Sequence, residues 1–441
     1  MRLILAIVLG KFIAYFTKLL KIGGGSAAPG LYALKICPSL VEQLSKHIPK
    51  NVVITGTNGK TTTAKMLAHF AESSGLKVIR NHTGSNLERG IASTLIANYQ
   101  LLTTNYQLGI WELDEAAFNS VVPKLNPDVI VFLNIFRDQL DRYGEINTVL
   151  KNWQETLKKL PTETKIIING DDANLLKLVA GFKGKVQKFG VKDFKIEGED
   201  IVHKKEQRYL DFEAKNVKLD GLNSSNFYLQ TTNYQLPTTL PLPGIYHIYD
   251  ALAAFACASN LELPIHQFTN SLTHYKPAFG RVEKFDWGYI FLIKNPAGAT
   301  QVFETIAPNI KSNDTLLLAL NDNLADGTDV SWIWDAVFEK LLTPSLRAPA
   351  KQSQSRLPRR SAPRNDVIVS GSRAYDLAVR LKYAGFDPET ITVESDLQNA
   401  FKQARGGLQG KLFILPTYTA MMELQSILTK TGVKKHYWEE K

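Results

Sequence analysis

Cysteine is nearly absent: the 441 residues hold only Cys37 and Cys257, far apart and with no Cys-x-x-Cys spacing. That excludes a disulfide framework and a sequence-local thiolate zinc site, and it fits a reducing cytoplasm. It also leaves the chain without a cysteine nucleophile of its own, because neither residue stands in a nucleophile-elbow context and Cys257 lies in an apolar, alanine-rich run. Acidic residues are in deficit, 42 against 52 lysines and arginines, for a formal net charge of +10. The excess points to an acidic partner or surface, which nucleic acid, anionic lipid or a phosphorylated substrate would each satisfy. Much of it is concentrated, since 344–364 carries six basic residues and no acidic one. That stretch is rich in Pro, Ser and Arg and reads as a disordered surface loop over about 344–365.

A long uninterrupted hydrophobic run is missing as well. Met1 to Lys21 is apolar, but Lys11 breaks the run after eight residues and no small-x-small cleavage site follows closely, which argues against a secretory signal. Lys11, Lys18 and Lys21 fall at helical spacing on one face, so the segment is expected to be an amphipathic helix, packed on its own domain or touching anionic lipid. The expected location is cytoplasmic, with peripheral attachment at the inner face of the cell membrane left open. The length suggests two to three domains, and 44% hydrophobic content is enough for ordinary cores.

What the chain does have is a phosphate loop. Val52 to Thr63 runs from a β-branched segment through Gly56 and Gly59 into Lys60-Thr-Thr-Thr63, a strand turning into a helix whose N-terminal amides face the turn. The glycines let the backbone approach an anion, Lys60 would reach the β- and γ-phosphates, and a hydroxyl of Thr61 or Thr62 would bind Mg²⁺. The common Walker A spacing asks for glycine at 54, where this chain has isoleucine.

Further strands are expected at 77–80, 108–113, 129–134 and 165–169, with helical patterns between them. This alternation predicts an α/β fold with a doubly wound parallel sheet and ligands at the carboxyl ends of its strands. From about 186 to 240 the pattern turns to short alternating runs, read as a small antiparallel insertion, and a helix follows over 246–259. A second α/β pattern begins near 283, with strands at 289–293, 315–320, 366–370 and 411–415. The expected division is a lead-in over 1–40, an ATPase domain over 41–280 and a C-terminal Rossmann-like domain over 281–441. Carboxylates gather at the strand ends: Glu112, Asp114 and Glu115, then Asp138 and Asp141 with two arginines, then Asp171 and Asp172. One of the first group could complete a Mg²⁺ shell, or simply favour a helix start.

Together these segments resemble the central ATPase domain of the Mur ligase superfamily. Their wording is closer to the MurT family, the synthetase subunits of lipid II isoglutaminyl synthase. The resemblance runs nearly end to end, through Thr55–Thr63, Glu112–Ala117, Phe136–Gly144, Leu242–Gly244, Pro277–Glu283, Lys294–Gly298, Asn321–Asn323, Asp326–Asp335 and Leu415–Ala420. It implies a Mur-ligase-like ATPase domain followed by a C-terminal domain, with ATP and Mg²⁺ as cofactors and lipid II at the membrane surface as substrate. The implied reaction is phosphorylation of the D-glutamate α-carboxyl and its amidation to D-isoglutamine. Ammonia would come from a GatD-like class I glutamine amidotransferase in a heterodimer, and no nucleic acid is involved.

Residue by residue, the resemblance assigns nucleotide binding to Thr57, Asn58, Gly59, Lys60, Thr61 and Thr62, and the metal to Thr61 and Glu112. Arg281 is implied as a nucleotide contact at the domain junction, with an interdomain ion pair as its rival. Asp335, or alternatively Asp329, would complete the partner's catalytic triad by orienting its imidazole. His247 and Asp250 stand where the family pattern has asparagines facing adenine, and an ionised aspartate accepts but cannot donate. Many relatives carry a four-cysteine zinc ribbon in the insertion, whereas 186–240 has no cysteine, so no zinc is expected. Two alternatives remain: a stand-alone Mur-type or folylpolyglutamate-type ligase adding an amino acid, and a degenerate nucleotide-binding scaffold.

Overall fold

The structure, a computed structural model, describes residues 1–19, 27–81, 85–101, 105–136, 146–192, 209–277, 282–342 and 367–432. Arg281, the segment 137–145 and the basic stretch 344–365 therefore lie outside the described residues.

Two sheets organise the chain. The first contains β1 (Lys50–Thr55), β2 (Val78–Arg80), β3 (Leu108–Leu113), β4 (Val129–Phe132), β5 (Lys165–Asn169), β6 (Val186–Val191), β7 (Phe212–Asp220), β8 (Ser224–Gln230) and β9 (Gln235–Leu240), in the order β2-β3-β1-β4-β5-β6-β7-β8-β9. Pairing is parallel from β2 through to β7 and antiparallel for β7–β8 and β8–β9. The small antiparallel insertion expected over 186–240 is thus corrected at its start. β6 pairs in parallel with β5, and β7 to β9 prolong the same sheet. The β6 sequence Val-Gln-Lys-Phe-Gly-Val misleads because only its Phe189–Val191 end is buried, so it carries the polar alternation of a half-covered strand.

β1 lies inside the sheet, flanked by β3 and β4, and its residues alternate between two buried faces. Val52 and Ile54 join the core beneath the helices Lys60–Ser73 and Ile245–Asn260, while Val53 joins Trp111, Leu113 and Phe132 on the other face. A strand covered on both sides needs apolar residues at nearly every position, which is why β1, β3 and β4 read as continuous hydrophobic runs.

The second sheet has β10 (Glu283–Phe285), β11 (Gly288–Ile290), β12 (Thr315–Ala319), β13 (Val367–Ser370), β14 (Ile391–Val393) and β15 (Leu412–Pro416), ordered β10-β11-β15-β12-β13-β14. All pairs are parallel except the hairpin β10–β11. One face shares a core with the first sheet, Leu316, Leu318 and Val369 clustering with the residues under helix Ile245–Asn260. The other face, including Leu317, Ala319 and Ile414, packs on the helices Leu397–Gly406 and Tyr418–Lys430.

At the N-terminus, helix Arg2–Leu19 packs a narrow seam of Ala6, Ile7 and Gly10. A Cβ on Gly10 would meet Ile96 at 2.8 Å, so the helix Glu88–Ala97 approaches closely there.

Candidate active site

The loop between β1 and helix Lys60–Ser73 is held from three sides. Gly56 and Gly59 adopt φ of 135° and 89°, the left-handed half of the map that glycine tolerates. A Cβ on Gly59 would lie 2.2 Å from Asp250 Oδ1, so no side chain fits without moving that carboxylate. Asn134, just past β4, accepts from Thr57 N on its carbonyl (3.1 Å) and from Asn58 N on its side chain (2.8 Å), and its amide donates back to Asn58 O (3.1 Å). The loop's shape is therefore imposed by the neighbouring strand end.

The parallel register sets Ile54 opposite Glu112 and Thr55 opposite Leu113, bringing the end of β3 alongside the loop. The Thr61 hydroxyl donates to Glu112 Oε2 at 2.8 Å, deep in the fold. Asn81 fixes the Glu112 backbone through its N–H (2.9 Å) and carbonyl (3.0 Å). Lys60 Nζ lies 3.1 Å from Glu115 Oε2, with side-chain exposures of 11% and 7%, and also donates to the carbonyls of Gly56 and Thr57. Of the three carboxylates named from sequence, Glu112 and Glu115 face the loop. Asp114 instead accepts from Ala116 N at 3.1 Å, turning the chain after β3.

Hard oxygen donors from a hydroxyl and one carboxylate suit Mg²⁺, which takes few protein ligands and completes its shell with phosphate and water. The glycine turn ahead of the helix Lys60–Ser73 and the nearly buried ammonium of Lys60 suit a polyphosphate. These residues thus fit a magnesium nucleotide. Among the described residues no group of three or more His, Cys, Asp and Glu side chains forms a metal cage.

His247 and Asp250 meet across the first two turns of helix Ile245–Asn260, Nδ1 to Oδ2 at 3.4 Å, both buried. Asp250 Oδ1 accepts from the Thr63 hydroxyl at 3.3 Å and backs onto Gly59, so this carboxylate lies against the phosphate loop. Asp171 and Asp172, after β5, bind the fold itself. Asp171 accepts from Val191 N and the Tyr249 hydroxyl, while Asp172 caps helix Ala173–Leu178 and accepts from Ile135 N at 3.0 Å. Burial pushes the Asp172 carboxyl above its ordinary value, against the pull of those amides.

One link was not foreseen from sequence. Asn58 and Asn295 exchange two side-chain hydrogen bonds, of 3.1 and 2.9 Å, and Asn295 Oδ1 also caps helix Pro296–Ile306 through Gly298 N (2.9 Å). The signal available was Asn295-Pro-Ala-Gly298, an N-cap followed by proline at the first helical position. The same helix reaches the aspartate run: Val337 N donates to the Thr300 hydroxyl at 3.1 Å and Lys340 pairs with Glu304 at 2.6 Å.

That run follows β12. Asp326 is buried, accepts from Thr419 N at 2.8 Å, and is pushed above the ordinary carboxylate value by burial. Asp329 and Asp335 are exposed, Asp329 accepting from Ser331 N at 2.8 Å. Asp335 follows the exposed Trp334, whose ring lies 5.6 Å from both Tyr383 and the Arg380 guanidinium. Arg380 is buried, donates to the carbonyls of Ile333 and Ala336, and binds Glu339 through two contacts of 3.0 Å, which fixes the backbone on both sides of Asp335. The structure thus gathers Lys60, Thr61, Glu112 and Asp250 about one loop and sets Asp329 and Asp335 on a separate exposed turn.

The fold is that of the Mur ligases: MurF of Thermotoga maritima, solved in complex with ADP, superposes with a TM-score of 0.64 over 90% of this chain and 85% of its own, at 14% identity. Residues 54–258 match the Mur ligase middle domain, and residues 292–421 match the MurT ligase C-terminal domain. The MurT subunit of lipid II isoglutaminyl synthase (glutamine-hydrolyzing) from Streptococcus pneumoniae is 32% identical, with 94% of each chain covered. Its Staphylococcus aureus counterpart is 27% identical over 92% of this chain and 93% of its own. The chain belongs to the MurT family of the Mur ligases.

Proposed function

We propose that this chain is the ATP-dependent carbon–nitrogen ligase subunit of a lipid II isoglutaminyl synthase. The reaction begins when a carboxylate oxygen of the stem-peptide D-glutamate attacks the γ-phosphorus of ATP. The bond to the β-phosphate oxygen breaks, leaving ADP and an acyl phosphate. Ammonia then attacks the acyl carbon, loses a proton, and expels phosphate to leave D-isoglutamine. Nothing here needs covalent chemistry from the protein, so its contribution is positioning and charge neutralisation.

In this reading Lys60 offsets γ-phosphate charge, Thr57, Asn58, Gly59 and Thr62 shape the loop around the phosphates, and Thr61 with Glu112 would hold Mg²⁺. Bound there, the ion would supply further neutralisation of the triphosphate. His247 and Asp250 border the nucleotide, with Arg281 as a contact from the domain junction. Asp335, with Asp329 as the alternative, would orient the imidazole of a GatD-like glutamine amidotransferase partner that supplies ammonia. The protein works in the cytoplasm.

The observation that carries the reading is the nearly buried pairing of Lys60 with Glu115 and of Thr61 with Glu112 at the ends of β1 and β3, in a chain that matches a MurT subunit over 94% of its length. The test is phosphate release and mass-spectrometric detection of D-isoglutamine with lipid II, ATP, Mg²⁺ and glutamine, using the chain co-expressed with an amidotransferase. Amino-acid addition without a partner would overturn the proposal in favour of a stand-alone ligase. ATP binding without turnover would favour a scaffold.

A further inference from the structure

Helix Arg2–Leu19 turns the wrong side outward for a protein surface. Its small residues Ala6 and Gly10 are buried, whereas Ile4, Val8, Phe12, Tyr15 and Leu19 are 64, 60, 58, 64 and 61% exposed. Their spacing of four, four, three and four draws one stripe along the helix, widened by the exposed Leu5 and Phe16. Phe12 and Phe16 meet at 4.5 Å with their rings tilted by 45°, and Tyr15 meets Phe16 edge-on at 5.7 Å, so the aromatic rings form one continuous ridge. Solvent-facing apolar area of this extent marks a docking surface.

Charge says what docks. Arg2, Lys11, Lys18, Lys21 and Lys35 all precede the first acidic residue, Glu42. A stripe of Ile, Leu, Val and aromatic side chains on a segment whose charged residues are all basic in sequence is complementary to an anionic bilayer, into which such a helix lies flat with its apolar face among the acyl chains. No helix among the described residues is long and apolar enough to cross a membrane, so attachment would be in the interfacial plane. The helix was expected to be amphipathic, packed on its own domain or touching anionic lipid; it packs through its small-residue seam and leaves the apolar stripe outside.

We infer that helix Arg2–Leu19 is an interfacial anchor that seats the protein on anionic phospholipid through Ile4, Val8, Phe12, Tyr15 and Leu19. The surface is independent of the amidation chemistry, and the test uses vesicles free of lipid II so that the two readings fail separately.

The full chain is floated with phosphatidylglycerol-containing vesicles and with phosphatidylcholine vesicles. Binding to the former that falls with added salt, and at least tenfold weaker binding to the latter, is expected. Val8→Ser/Phe12→Ser should lose most of the binding, and Lys11→Glu should weaken it by fivefold or more, given about fivefold per basic charge at such a surface. Equal flotation with both vesicle types, no flotation with either, or unchanged flotation of the double variant would each overturn the inference. So would a concentration-dependent dimer in analytical ultracentrifugation that dissociates on Val8→Ser/Phe12→Ser, since a second copy would then be the occupant. Both positions are exposed, and unchanged thermal unfolding of the variants confirms that the loss is of binding.

Discussion

The two sheets use the same device to opposite ends. Each has an interior parallel strand, β1 or β12, whose carboxyl end opens into a loop carrying polar and charged side chains, where open α/β sheets place their ligands. After β1 the loop is interior: Lys60, Thr61, Glu112 and Glu115 are all nearly buried and hold one another within 3.1 Å. After β12 the turn is exterior, with Asp329, Trp334 and Asp335 exposed and its backbone held by Arg380 and Thr300. A polyphosphate needs a closed, preorganised cradle that one chain can supply. The difference teaches that the end of a parallel strand can enclose its side chains or present them; under the proposed function the first loop serves a nucleotide and the second a partner protein.

The largest expected effect separates these roles. Asp335→Asn should lower glutamine-dependent amidation by about 10⁴-fold, the scale seen when a triad aspartate loses its charge, while leaving the rate with added ammonium unchanged. Loss of both activities would place Asp335 in the fold and transfer the role to Asp329. Lys60→Met should do the opposite, reducing turnover roughly 10²- to 10³-fold with either nitrogen source, as read by phosphate release. A defect confined to glutamine would break the comparison.

Smaller effects probe how the two loops are joined and held. Asn295→Ala removes both bonds to Asn58 and the cap on Gly298 N, so thermal unfolding should show a loss of about 2 kcal/mol and the KM for ATP should rise. An unchanged KM would mean that the loop keeps its shape without the bridge. Glu339→Gln should be the mildest. Although burial pushes this carboxyl upward, the Arg380 hydrogen bond and charge hold it below the ordinary 4.5. Its contribution is therefore present above the unfolded value and lost as pH falls through the lower folded one. Because nearly half of that side chain is exposed, the contribution is under about 0.5 kcal/mol. Acid titration of stability from pH 5 downward should show a slightly steeper fall for the native chain than for the variant.

Much of the first loop was legible in sequence because its causes are local. Gly56, Gly59, Lys60 and Thr61 lie within one turn, and the strands beside them are hydrophobic runs that nothing but burial explains. β10 and β14 were missed because neither buries a single residue, unlike the equally short β2 and β11, so no apolar run marks them. The choice of Glu115 for Lys60 and of Asp114 for a turn depends on the β1–β3 register, which no single segment encodes. The Asn58–Asn295 pair spans 237 positions, and each residue taken alone resembles an ordinary loop or cap asparagine. Arg281 and the basic stretch 344–365 lie outside the described residues.

That pair carries a consequence for how the chain can change over time. A primary amide has one accepting and one donating end, and two of them facing head to tail are satisfied only in matched orientation. Here Asn295 cannot turn over, because its oxygen is also engaged by Gly298 N and an NH₂ group there could not accept. The orientation of Asn58 is therefore dictated from the far half of the molecule. An aspartate at 58 would set an oxygen against an oxygen, and glutamine would overreach. Positions 58 and 295 should accordingly drift together or not at all, a tether written into descent that an alignment of relatives can read without any further experiment.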